Sequence, residues 1–285
     1  MRSLFTLLLI ALLSSCSTLP EMLDHTPTIV VEGSIEQGEV ATVYLSQLLP
    51  TSSSDEMYAI SEVPIIWAKV TLSDGETSEV LTGSFDNTHI LGFKYRTLHM
   101  RGEVGQQYDL TVEYSGVTVT ATTTILDEVA IDPIEVEVID DSLCTLRTTI
   151  HDPAESDNYY VVLACEQGQE QNPHVTILGM WNDEKLAEQS GEINIYRPFS
   201  MTYGADIEVY FHLDSLVTVK VAHVDQASYE FWTTFQDHCI NSGNLIYPSE
   251  QNPSSNINGG LGIWWGMSTQ TESLTPRTKV LTAEP

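Results

Sequence analysis

Apolar and polar residues alternate with a period of two along most of this chain, which predicts strands. Thr28-Ile29-Val30-Val31-Glu32-Gly33, Val40 to Ser46 and Ile65 to Leu72 carry the pattern, the last closed by the turn pair Asp74-Gly75. Leu49 to Glu62, with Pro50, serines and acids, reads as a loop between them. Tyr108, Leu110, Val112 and Tyr114 alternate into Ser115-Gly116, a two-residue hairpin turn. That turn sets Tyr114 opposite Val117, Val112 opposite Val119 and Leu110 opposite Ala121, so both strands put apolar residues on one face. Short strands with regular turn signals over 28–126 predict an immunoglobulin-like β-sandwich.

Asp127 to Pro133 reads as a passage to a second β-rich unit over 127–267. Strands are expected there at Ile134 to Ile139, Cys144 to Ile150, Tyr159 to Cys165, Val175 to Met180, Glu192 to Tyr196, Ile207 to Leu213 and Leu216 to His223. One segment changes period. Asp225 suits an N-cap, Tyr229, Trp232, Phe235 and Cys239 recur at helical spacing, and Gly243 follows as a stop, which predicts a helix over 225–242 packed on the second sheet. No internal repeat is visible, and 268–285 reads as a polar tail. The fold class is all-β: two sandwiches, one helix.

The start of the chain follows a different rule. Arg2, the apolar run Leu4 to Leu13 and the small residues Ser14-Ser15 before Cys16 describe an export signal over 1–15, too short to span a bilayer. A cysteine at that position is the bacterial lipoprotein pattern. Cleavage would leave Cys16 first, carrying acyl chains that hold the protein stably on a membrane, with 16–27 as a tether.

The 42% hydrophobic share supports a real core. Against 40 acidic residues stand only 11 Lys and Arg, for a net charge of -29. Phosphate binding needs clustered cations, so no nucleic-acid partner is expected. Anionic lipid would repel this surface, leaving an anchor to hold it.

Candidate chemistry is sparse. Eight histidines show no HExxH or helical metal pair, no GxSxG elbow occurs, and Gly259-Gly260-Leu261-Gly262 lacks the Lys-Ser/Thr of a phosphate loop. No catalytic, metal or cofactor set is expected. A glycosidase pair would need two of the acids in one cleft. Asp152, Glu155 and Asp157 form either a calcium loop or a solvated turn. A hairpin centred on 152–157 would place Cys144 opposite Cys165 on the inward face, where they form a disulfide or remain buried thiols. Pro248 to Gly266 is the least ordinary segment: turn formers, then glycines, then Trp264-Trp265 with one indole on each strand face. It reads as a closing strand, or as a binding loop built on Asn256, Gly259, Gly260, Trp264 and Trp265.

The run Asn256-Ile257-Asn258-Gly259-Gly260-Leu261-Gly262-Ile263-Trp264 resembles the ending of a bacterial lipoprotein family, domain of unknown function 4249. The Ile29 to Gly33 strand, Asn158-Tyr159-Tyr160 after an Asp-Pro turn and the Tyr229 to Phe235 helix fit it in order. The resemblance implies an outer-membrane lipoprotein, on the periplasmic or the cell-surface side, often encoded beside TonB-dependent transporters. It supplies no reaction. The expected function is therefore a non-enzymatic accessory or cargo-binding partner of such a transporter, with a surface adhesin or glycan-binding module as the alternative.

Overall fold

The computed structural model describes residues 28–48, 64–153, 156–168, 172–198, 208–241 and 253–283. The export signal 1–15, Cys16, the tether, the loop 49–62, Glu155 and the first part of the closing segment, 248–252, lie outside them.

Eight strands build the first sandwich: β1 (Ile29–Glu36), β2 (Val40–Gln47), β3 (Lys69–Ser73), β4 (Ser78–Val80), β5 (Thr82–Phe85), β6 (Phe93–Arg101), β7 (Gln107–Tyr114) and β8 (Val117–Thr124). One sheet runs β1-β2-β6-β5, the other β4-β3-β7-β8. These are the A-B-E-D and C′-C-F-G sheets of an immunoglobulin-like Greek key. The β7–β8 hairpin has the expected register, Tyr114 with Val117, Val112 with Val119 and Leu110 with Ala121. Its turn needs two left-handed residues, and Ser115 (φ 51°) and Gly116 (φ 81°) supply them. Tyr108, at the start of β7, donates its hydroxyl to the Arg101 carbonyl at 2.8 Å and accepts the Glu103 N–H at 2.9 Å. That is a tyrosine corner.

The second sandwich repeats the topology with other residues. It comprises β9 (Glu135–Val138), β10 (Leu143–Thr149), β11 (Tyr159–Glu166), β12 (His174–Asn182), β13 (Glu192–Ile195), β14 (Phe211–His212), β15 (Val217–Val224) and β16 (Leu261–Leu274). Short helix α1 (Asp183–Glu188) follows β12. β9, β13 and β14 pair with β10 in one sheet, while β12-β11-β15-β16 form the other. Consecutive strands β10 and β11 therefore lie in opposite sheets.

This corrects the expected 152–157 hairpin. Cys144 pairs with Val138 and Phe211, and Cys165 pairs with Thr218. Alternation along β11 turns Tyr160, Val162 and Ala164 into the core that holds Cys144, and turns Val161 and Leu163 to the opposite face. Cys165 shares the parity of Val161 and Leu163, so the two sulfurs face different layers and no disulfide joins them.

The helix falls where its period predicts it: α2, Gln226–Asn241. Asp225 caps it, accepting the Ser228 N–H at 2.8 Å and the Ser228 hydroxyl at 2.6 Å. Tyr229, Trp232 and Phe235 pack on Val161, Leu163, Ile263, Trp265 and Met267.

The polar tail is also corrected. Ser268 to Leu274 completes β16, paired residue by residue with β15, and α3 (Pro276–Ala283) follows. The polar side chains there are strand partners. Thr269 donates to Glu36 at 2.5 Å, and Glu272 accepts the Ile134 N–H at 3.0 Å.

β16 is what joins the molecule. Its first half pairs in parallel with β1, from Val30–Leu261 to Glu36–Met267, and its second half pairs antiparallel with β15. The A-strand edge of one sandwich thus fuses to the G-strand edge of the other in a continuous eight-stranded sheet, β12-β11-β15-β16-β1-β2-β6-β5. The units expected on either side of residue 126 therefore share one sheet. Polar clamps reinforce the seam. Lys220 reaches both oxygens of Glu36 at 2.6 Å, Thr123 donates to Asp225 at 2.9 Å, and the Asp127 carbonyl holds His223 Nδ1 at 2.8 Å and the Ser268 hydroxyl at 3.1 Å.

Candidate functional site

The closing segment is built inward. Trp264 is fully buried in the first core and Trp265 is buried under α2 against Trp232, their ring centroids 5.2 Å apart. Neither indole stands in solvent as a binding platform would require. Asn256 accepts the Trp264 N–H at 2.9 Å and donates to the Trp264 carbonyl at 2.6 Å, so its side chain acts as one more strand pairing. The indole N–H of Trp264 donates to the Tyr108 carbonyl at 3.1 Å. Gly33, paired with Trp264, leaves room for the ring, since a Cβ there would sit 2.9 Å from Cε3. Gly262 has φ 105°, and a Cβ on it would meet the Val31 carbonyl oxygen at 1.9 Å. Gly259 takes φ 81° in the preceding turn, and a Cβ on Gly260 would lie 2.7 Å from the Ile29 carbonyl. The residues singled out by sequence do converge, and what they form is the splice between the sandwiches.

A charged cluster that the sequence did not flag lies at the far end of the sheet. Glu166, fully buried at the end of β11, sits level with Val217 and so with Leu274, the last residue of β16. Arg197 Nε lies 3.2 Å from Glu166 Oε2. His212 approaches Oε1 with its Nδ1 at 2.8 Å and its backbone N–H at 3.2 Å. Arg197 also pairs with exposed Glu208. The facing carboxylate makes Nδ1 the donor and fixes the half-exposed imidazole. Burial, and then the Glu166 charge, push the Cys144 thiol up to about 11. Nucleophilic cysteines need the opposite shift, so Cys144 lacks the activation an acyl-transfer thiol requires. Glu166, Arg197 and His212 are far apart in sequence and share no motif spacing, which is why they escaped notice.

Asp152 is committed locally. Its Oδ1 accepts the Tyr160 hydroxyl at 2.6 Å and the Asn158 side-chain N–H at 3.0 Å. Among the described residues no group of three or more His, Cys, Asp and Glu is arranged to hold a metal ion.

The profile of the family described as Domain of unknown function (DUF4249) matches residues 18–273. The chain belongs to the DUF4249 family. The match ends one residue before the end of β16, so the DUF4249 unit includes both sandwiches and the strand that joins them. No curated protein matches this DUF4249 sequence. Among solved structures it is similar to the two-domain fibronectin type-III segment of chicken tenascin, at 10% identity and a TM-score of 0.21, over 69% of this chain and 90% of that one. The strand order, and not that distant likeness, establishes the paired sandwiches of the DUF4249 chain.

Proposed function

We propose that this protein is an outer-membrane-anchored lipoprotein, acylated at Cys16, that serves as a non-enzymatic accessory or cargo-binding partner of a TonB-dependent transporter. The observation that carries this reading is the fused sheet. The chain enters at Thr28, at one end of the first sandwich, and β16 runs from that end through 14 residues, roughly 46 Å at about 3.3 Å per residue. The second sandwich is attached to the far half of that strand, so an anchor at the leading end would put the Glu166–Arg197–His212 group at the end of the sheet away from the membrane. A stand-off of this kind suits a protein that meets a membrane-embedded partner. The signal pattern before Cys16 supports the anchor, and the family setting supports the partner.

Burial of Trp264 and Trp265 favours this reading over a glycan-binding module, which would use those indoles as its platform. Purification from native membranes in mild detergent, through a tag on the protein, tests the proposal. A TonB-dependent transporter recovered at a stoichiometric level is the expected result, and recovery of the lipoprotein alone would contradict it.

A further inference from the structure

At the leading end of the first sandwich, large apolar side chains stand in solvent. Trp67 is 85% exposed, Phe85 83%, Ile90 73% and Leu48 58%. Strand register gathers them. The Leu48 N–H reaches the Thr28 carbonyl at 3.0 Å, where the chain enters. β2 and β6 run antiparallel with Val43 opposite Tyr95, which brings the Asp86–Gly92 turn and its Ile90 to the level of Leu48. Phe85 lies opposite Phe93 beside that turn, their rings edge to face at 5.4 Å. Tyr95 donates to the Ile65 carbonyl at 2.9 Å and accepts the Ala68 N–H at 3.0 Å, which holds the segment bearing Trp67 across the same end.

Among the described residues at this end, two lysines stand against the acids, in a chain that is otherwise strongly acidic. Lys69 meets Glu113 at 2.5 Å, Lys94 meets Asp86 at 2.9 Å and His89 lies 3.3 Å from Glu32. Solvated side chains such as Trp67 and Phe85 cost free energy in water and gain it at a membrane interface, where aromatic residues collect. The lysines beside them offset part of the negative charge that would otherwise hold this end away from a headgroup layer.

We infer that this apolar rim rests on a zwitterionic lipid surface, with Trp67 and Phe85 entering the headgroup layer. The inference rests on the lipid-anchor reading. The chain between Cys16 and Thr28 reaches at most ~43 Å at about 3.6 Å per residue, and it joins the fold at the rim. The anchor therefore concentrates the rim at the bilayer, so that modest apolar burial suffices to orient the protein.

The test uses the full mature protein, purified from membranes and reconstituted into phosphatidylcholine vesicles with brominated acyl chains. Intact mass first establishes the acyl chains on Cys16. Trp181, Trp264 and Trp265 are buried and Trp232 packs within α2's contact layer, so lipid quenching of tryptophan emission reports Trp67. Quenching that disappears in Trp67→Phe and weakens in Phe85→Ser is expected. Acylated protein whose emission is unquenched, or equally quenched in Trp67→Phe, would overturn the rim and leave the anchor standing. An unacylated Cys16 would overturn both. Trp67 emission that changes only when a transporter is co-reconstituted would assign the rim to a protein partner and reject the lipid surface.

Discussion

Asn256 holds Trp264 by both groups of its backbone, one hydrogen bond accepted at 2.9 Å and one donated at 2.6 Å. Each such bond contributes about 1 kcal/mol, and more where its loss strands a buried group. Asn256→Ala should therefore cost about 2–3 kcal/mol. Asn256→Asp should cost a comparable amount, because a carboxylate keeps the acceptor and turns an oxygen toward the Trp264 carbonyl. Urea unfolding at neutral pH checks both. A midpoint unchanged in either variant would remove the splice from its place in the fold.

Gly262 and Gly75 separate backbone strain from collision. Both have positive φ, 105° and 88°, but a Cβ on Gly75 meets nothing within 4 Å while one on Gly262 strikes the Val31 carbonyl oxygen at 1.9 Å. Gly75→Ala should cost about 1–2 kcal/mol and leave a folded protein. Gly262→Ala should break the β1–β16 ladder and yield no cooperative thermal transition in circular dichroism.

The sequence carried local relationships well and long-range ones poorly. The β7–β8 register was readable because a two-residue turn admits few pairings, and α2 because Asp225 and its aromatic stripe agree. The crossing from β10 to β11 was not readable. A turn through Asp152-Pro153 looks the same whether it closes a hairpin or passes between sheets, and only the strands lying between decide. β4 and β5 escaped because edge strands bury little, every residue of β5 being exposed. The Asn256-to-Trp264 segment was visible as unusual, but its meaning depends on β1, more than two hundred residues earlier. The repeat of sandwich topology left no trace, since topology constrains which positions are apolar and not which residues fill them. The Glu166–Arg197–His212 grouping exists only once β11, the segment after β13, and β14 are brought together.

Thiol chemistry follows from the corrected topology. A non-reduced digest should contain no peptide linking Cys144 to Cys165. Cys144, buried and with its thiol pushed up to about 11, should resist iodoacetamide near pH 8 until denaturant is added. Labelling of Cys144 in the native protein, located by peptide mapping, would contradict its placement in the second core.

Asp86 gives stability a pH signature. Hydrogen bonds from Thr88 and Tyr44 outweigh desolvation and, with Lys94, hold its carboxyl far below the usual carboxylate range. A folded-state value below the unfolded one contributes stability that is present above about pH 4 and is lost as pH falls further. Asp86→Asn should thus be less stable than the native chain at neutral pH, with the gap narrowing as acid protonates the native carboxylate. Urea midpoints for the pair across that range test this, and a gap that widens toward low pH would refute it.

The fused sheet is the relationship on which the stand-off geometry depends, and native-state hydrogen exchange with increasing urea tests it most directly. If β16 makes one body of the two sandwiches, amides of its 261–267 and 268–274 halves should exchange through the same opening. That opening should coincide with those of β7 and β11, as expected of one cooperative unit. The opposite result would be a second half of β16 that opens with β15 and β11 at lower urea, while β1 and the first half stay protected. That would make the sandwiches two independently unfolding bodies and remove the stand-off.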